Sequence, residues 1–174
     1  FSDAAGNLNA DGGDANNTLT LSVDTIPPPI ELSTIAGGTG GFVINGQCTA
    51  DYSGYSVASA GDVNGDGLAD LIVGAELGNP AAGAQAGRSY VVFGKTDSTS
   101  INLSAIAAGN GGFVINGQCA YDYSGRSVAS AGDINSDGLA DIIIGAIYGD
   151  PGGRTDSGRS YVVFGKTNTT AIDL

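Results

Sequence analysis

The sequence predicts an all-β protein made of two units of four short strands, a sheet-per-repeat architecture of the propeller-blade type, preceded by an extended β segment. Three observations carry that prediction. The chain of 174 residues aligns with itself at one offset: Asp62 and Asp133, Cys48 and Cys119, and Phe93 and Phe164 each stand 71 residues apart (133 − 62). The apolar residues come in strand-sized runs bounded by glycine, and no stretch shows a convincing amphipathic helical period. Thirty glycines and 7% aromatics suit many thin, turn-linked elements better than thick helices. Stacked repeats of this kind are read as one sheet each.

Along each unit the elements follow in the same order. Phe42, Val43 and Ile44 form an apolar run that ends at Asn45-Gly46, and Phe113, Val114 and Ile115 repeat it. Residues 56–60 are small and semi-apolar; Leu71, Ile72 and Val73 form a buried run closed by Gly74; residues 90–93 are aromatic and β-branched. Leu32–Ala36 and Leu103–Ala107 each have room for one short turn of helix. The two copies lose their match over residues 79–86 and 150–157, which marks a surface loop in each. The repeat divides the chain into a segment 1–29, a first repeat 30–100, a second 101–171, and the start of a further one at 172–174. In the first segment Leu19, Leu21 and Val23 alternate, and Pro27, Pro28 and Pro29 make a stiff linker. The chain begins at Phe1 and holds no Met, which predicts a processed product or a piece of a longer protein.

Composition narrows the function. With no histidine there is no Ser/His or Cys/His nucleophile pair and no imidazole ligand, so an enzyme would have to work with carboxylates, Lys, Tyr or a bound ion. No acid/base pair accounts for the carboxylates better than calcium does, and no enzyme activity is expected. A formal net charge of −12 repels phosphate backbones and anionic lipid, which argues against nucleic acid and membrane insertion as partners and toward cations. No apolar run approaches the roughly 20 residues of a membrane helix.

The sharpest motif is DVNGDGLAD, residues 62–70, repeated as DINSDGLAD, residues 133–141. Counted from its first Asp, it places oxygen side chains at positions 1, 3, 5 and 9: Asp62, Asn64, Asp66 and Asp70, with Gly67 at position 6. Hard cations take oxygen ligands on tight, glycine-hinged loops, and the Leu68 carbonyl at position 7 can join the shell. The second copy supplies Asp133, Asn135, Asp137, the Leu139 carbonyl and Asp141. Position 12 is Val73 or Ile144, inside a strand run, so the motif is not a helix-flanked EF-hand loop. Two filled calcium sites would move the net charge from −12 to about −8, since two ions add +4.

These residues also carry a family resemblance. GYSVASAGDVNGDGLADLIVGA and GRSVASAGDINSDGLADIIIGA, each followed by GRSYVVFGK, resemble the FG-GAP repeats of integrin α-subunit propellers and of bacterial, notably cyanobacterial, surface proteins. The resemblance implies blades of four antiparallel strands, with calcium in the loop between the first two held by the ten residues named above, and an extracellular or cell-surface place. It also implies a structural or adhesive role, or a glycan- or protein-binding one through residues 79–86 and 150–157. Residues 1–29 resemble the end of a bacterial immunoglobulin-like domain. Residues 113–116 are expected to complete the first blade, leaving the second blade and residues 42–45 each short of a neighbour. Strand exchange between copies, giving a ring or filament, is the expected outcome. Arg88 and Arg159 are expected to pair with acidic neighbours, Tyr52 and Tyr123 to pack between blades, and Cys48 and Cys119 to lack an internal disulfide.

Overall fold

The computed structural model describes residues 29–174. What the sequence suggests for residues 1–28 lies outside them. The described residues are all-β apart from short turns of helix. The strands are β1 (Ile44–Asn45), β2 (Ser56–Gly61), β3 (Asp70–Ala75), β4 (Arg88–Val92), β5 (Ile101–Asn102), β6 (Gly112–Asn116), β7 (Ser124–Gly132), β8 (Asp141–Ala146), β9 (Arg159–Val163) and β10 (Ile172–Asp173). Helices α1 (Leu32–Ala36) and α2 (Leu103–Ala107) fall at the two places the sequence allows.

The first sheet runs β10-β6-β4-β3-β2, and a second runs β7-β8-β9. Four of the five strands in the first are antiparallel neighbours and form one blade. Its fourth strand, β6, comes from the following repeat and pairs with β4 through Val91↔Phe113 and Ser89↔Ile115. Chain connectivity thus ties each blade to the next. β5 and β10 are strands that the apolar runs do not predict. They are two-residue strands lying parallel to β1 and β6, with Ile44 opposite Ile101 and Ile115 opposite Ile172. Neither has a periodic pattern long enough to read.

β3 is buried on both faces, which explains its near-continuous apolar run. On one face Ile72 and Val91 meet Phe113 and Ile115 of β6 and Ile142, Ile144 and Val163 of the second blade. On the other, Val73, Tyr90, Val92 and Val114 are capped by Leu103 and Ile106 of α2, with Ile44 and Ile101 at the margin. Each fully buried side chain of this size contributes about 1.5–3 kcal/mol. Gly112 opens β6 for a steric reason: a Cβ there would stand 2.0 Å from the Val91 carbonyl oxygen. The blades are also joined by an ion pair, Arg126 to Glu76 at 2.7 Å, with the guanidinium over the Tyr55 ring.

Two further expectations need correction. Arg88 donates to Gln47 Oε1 and to the Asn79 carbonyl, and Arg159 to Gln118 Oε1, so their partners are neutral. Gln47 and Gln118 also accept from the hydroxyls of Tyr90 and Tyr161, forming a polar bracket that needs no carboxylate. Tyr123 does bridge toward the first blade, donating to Gln85 Oε1 at 2.7 Å and standing edge-on to Tyr148. Tyr52, in the same place one repeat earlier, is 60% exposed, because no blade precedes it among the described residues. Cys48 and Cys119 are unpaired and exposed.

Candidate metal loops

The two motifs form the loops between β2 and β3 and between β7 and β8. Asp, Asn and Gly dominate them because Asx side chains bond back to amides one turn on, and glycine supplies left-handed backbone. Asp62 Oδ1 accepts from the amides of Gly65 and Asp66, at 2.7 and 3.1 Å, and Oδ2 from Gly67 at 2.9 Å. Asn64 Oδ1 accepts from the Asp66 amide, its Nδ2 donates to Asp66 Oδ2, and Asp66 Oδ1 accepts from the Leu68 amide. The second loop repeats this set through Asp133, Asn135, Asp137 and Leu139, except for the bond that the Gly65 amide makes to Asp62 Oδ1. One difference follows from Gly65 becoming Ser136. Both sit at positive φ, 79° and 62°, a region that favours glycine.

Position 9 behaves differently from the rest. Asp70 is fully buried and accepts two amides from separate segments, Val63 at 2.8 Å and Gly94 at 2.7 Å. It ties the loop entrance to the end of β4. Asp141 does the same with Ile134 and Gly165, both at 2.9 Å. Burial pushes the Asp70 carboxyl upward, against the lowering effect of the two amides, and the charges of Asp66 and Asp62 add to the rise. The spacing marks these residues as candidate oxygen ligands but not as clamps, because the second amide partner of each, Gly94 or Gly165, lies 24 residues on.

The donors fit a hard cation by chemistry. All are oxygens, and the carboxylate oxygens of Asp66 and Asp70 each keep a lone pair after their hydrogen bonds. Among the described residues, no three acidic or cysteine side chains stand together as a preformed metal cage. Any shell would have to include neutral oxygens, with Asn64 and the Leu68 carbonyl, or Asn135 and the Leu139 carbonyl, as the candidates the sequence offers. The loops also touch one another. The Asp62 carbonyl accepts from the Ala140 amide at 2.8 Å and the Val63 carbonyl from the Lys166 amide at 2.9 Å, so the first blade's loop is held by the second blade.

The variable segments differ in access. Both close on themselves alike: Asn79 Oδ1 holds the Gln85 amide, and Asp150 Oδ1 the Asp156 amide. Yet the carbonyls of Ala84, Gln85 and Ala86 accept from the amides of Tyr121, Tyr123 and Ser124. Residues 79–86 are thus partly spent on the joint between blades, and 150–157 are the more open of the two.

Comparison with known proteins matches these elements. Residues 53–92 and 124–163 each match the FG-GAP repeat, spanning β2 to β4 and β7 to β9. The chain thus carries two FG-GAP repeats and is similar to integrin alpha subunits. Its relatives include mouse integrin alpha-IIb, 34% identical over 115 residues, which is 64% of this chain and 10% of that subunit. Fruit-fly (Drosophila melanogaster) integrin alpha-PS2 is 34% identical over 122 residues, 65% of the chain and 8% of the subunit. Integrin alpha-5 of Xenopus laevis is 34% identical over 130 residues, 72% and 11%. The chain spans about a tenth of the length of these relatives.

Proposed function

We propose that this chain is a calcium-binding structural and adhesive module that works outside the cell or on a bacterial, cyanobacterial-type surface, and that its copies join head to tail into a ring or filament. One observation supports the calcium reading: two all-oxygen loops in the same frame fold alike, and the carbonyls of the first are gripped by the neighbouring blade. Asp62, Asn64, Asp66, the Leu68 carbonyl and Asp70 hold one ion; Asp133, Asn135, Asp137, the Leu139 carbonyl and Asp141 hold the other. Calcium supplies charge neutralisation and fixed loop geometry. The chain's part is to transmit that order across the Asp62–Ala140 and Val63–Lys166 contacts, so the loops stiffen the joint. No catalytic role is assigned to the carboxylates, since the loops already engage them.

Sedimentation velocity of the 174-residue chain, with excess calcium and again with chelator, tests this reading. Large species that shrink on chelation support it. A monomer unchanged in shape and stability by calcium overturns it.

A second reading has its own observation: residues 150–157 are open and polar, as a glycan- or protein-recognition loop would be. Binding on a glycan array that disappears when 150–157 is replaced by the sequence of 79–86 would favour it.

A further inference from the structure

We propose that residues 41–45 of a second copy dock antiparallel onto the outer edge of β9, repeating between chains the joint that β6 makes with β4. This deepens the self-association reading and rests on it. The pairing chemistry is already present in the molecule. β4 reads RSYVV and β6 reads GFVIN, and they pair; β9 also reads RSYVV, and residues 41–45 also read GFVIN. Among the described residues β9 is bonded on one side only, to β8, and β1 on one side only, to β5. Transferring the β4–β6 register by one repeat sets Val162 opposite Phe42, Tyr161 opposite Val43 and Ser160 opposite Ile44 of the second copy.

Burial marks the same surface. Ile72, Val91 and Val63 are 0%, 0% and 1% exposed under the second blade, whereas their counterparts Ile143, Val162 and Ile134 are 37%, 47% and 54% exposed. Phe164 adds 55% beside them. The patch is apolar because its sequence is that of a covered face. Phe42 and Ile44 are only half-buried, where Phe113 and Ile115 are fully so.

The glycines give an independent sign. Gly112 opens β6 and Gly117 follows it, and a Cβ on either would fall within 2.0 Å of a carbonyl oxygen, that of Val91 in β4 or of Ala86 just before it. Gly41 and Gly46 hold the same places beside GFVIN, but a Cβ there would meet nothing nearer than 3.4 and 3.3 Å. The chain therefore keeps glycine at positions where its own fold does not require it. Docked on β9, Gly41 would face the Val162 carbonyl as Gly112 faces Val91. The acceptors continue the pattern: the carbonyls of Asp133 and Ile134 present to Ala69 and Lys95 of the second copy what Asp62 and Val63 present to Ala140 and Lys166. A second copy answers each of these features at once, and the joint between blades one and two is its template.

Two variants test it, both by sedimentation with calcium. Gly41→Ala adds one methyl group that the folded chain accommodates, so its melting temperature stays that of the parent, while association weakens by about tenfold or more through the backbone clash at β9. Phe42→Cys and Val162→Cys, each made with Cys48→Ser and Cys119→Ser, are then mixed under mild oxidation. The expected product is a disulfide-linked heterodimer that neither variant forms alone. If the parent associates but Gly41→Ala associates equally and no cross-link forms, the register is wrong and the broader self-association reading stands. A parent that is monomeric at all concentrations with calcium overturns both.

Discussion

Asp70→Ala is the substitution whose cost the structure states most directly. It removes a fully buried carboxylate and strands two amides, Val63 at 2.8 Å and Gly94 at 2.7 Å. A buried donor left without an acceptor costs about 1–3 kcal/mol. Two such losses, less the relief of no longer burying a charge, give about 3 kcal/mol, or a fall in melting temperature of roughly 6–12 °C for a domain of this size. Asp141→Ala strands the same two kinds of amide, but at Ile134, which is 54% exposed, so water replaces part of the loss and the cost is about half. The measurement is urea unfolding of both variants in chelator, which separates the clamp from any metal effect. A cost below about 1 kcal/mol for Asp70→Ala, or equal costs for the pair, would refute the clamp.

Other consequences are checked by the same means. Ser136→Gly relieves a left-handed serine and is expected to stabilise the chain by about 0.5–1 kcal/mol, the strain relieved less the freedom glycine adds to the unfolded state. Gly112→Ala, unlike Gly41→Ala, drives a Cβ into the Val91 carbonyl and is expected to lower the melting temperature by roughly 5 °C or more. Asp122 is buried with one oxygen unpartnered, and burial is the main cause that raises its carboxyl above the ordinary range. The sign follows: a raised folded value makes the charged form a penalty above that value, and the penalty vanishes as pH falls below the unfolded value near 4. Asp122→Asn should therefore melt above the parent at pH 7, with the gap closing toward pH 4.

The repeat, the strand class, the two loops and both short helices were legible because each is written in contiguous residues: DVNGDGLAD, the apolar runs, and the 71-residue offset. The closing of the first blade by GFVIN was legible only through the family resemblance, which implies that this strand edges the preceding sheet. What stayed hidden depends on contacts across the fold. Asp70 reaches an amide 24 residues away, and Arg88 finds Gln47 at a separation of 41, where a charge count suggests an acid. Tyr52 and Tyr123 carry the same local sequence but differ in exposure, because the surroundings of a repeat depend on its neighbours.

Equilibrium dialysis of the full 174-residue chain against calcium, alone and as Asp62→Ala and Asp133→Ala, addresses the central claim most directly. The account predicts two ions per chain for the parent and one for each variant. A parent that binds no calcium at millimolar free ion, the weak end expected of extracellular sites (~10⁻³ M), would contradict it.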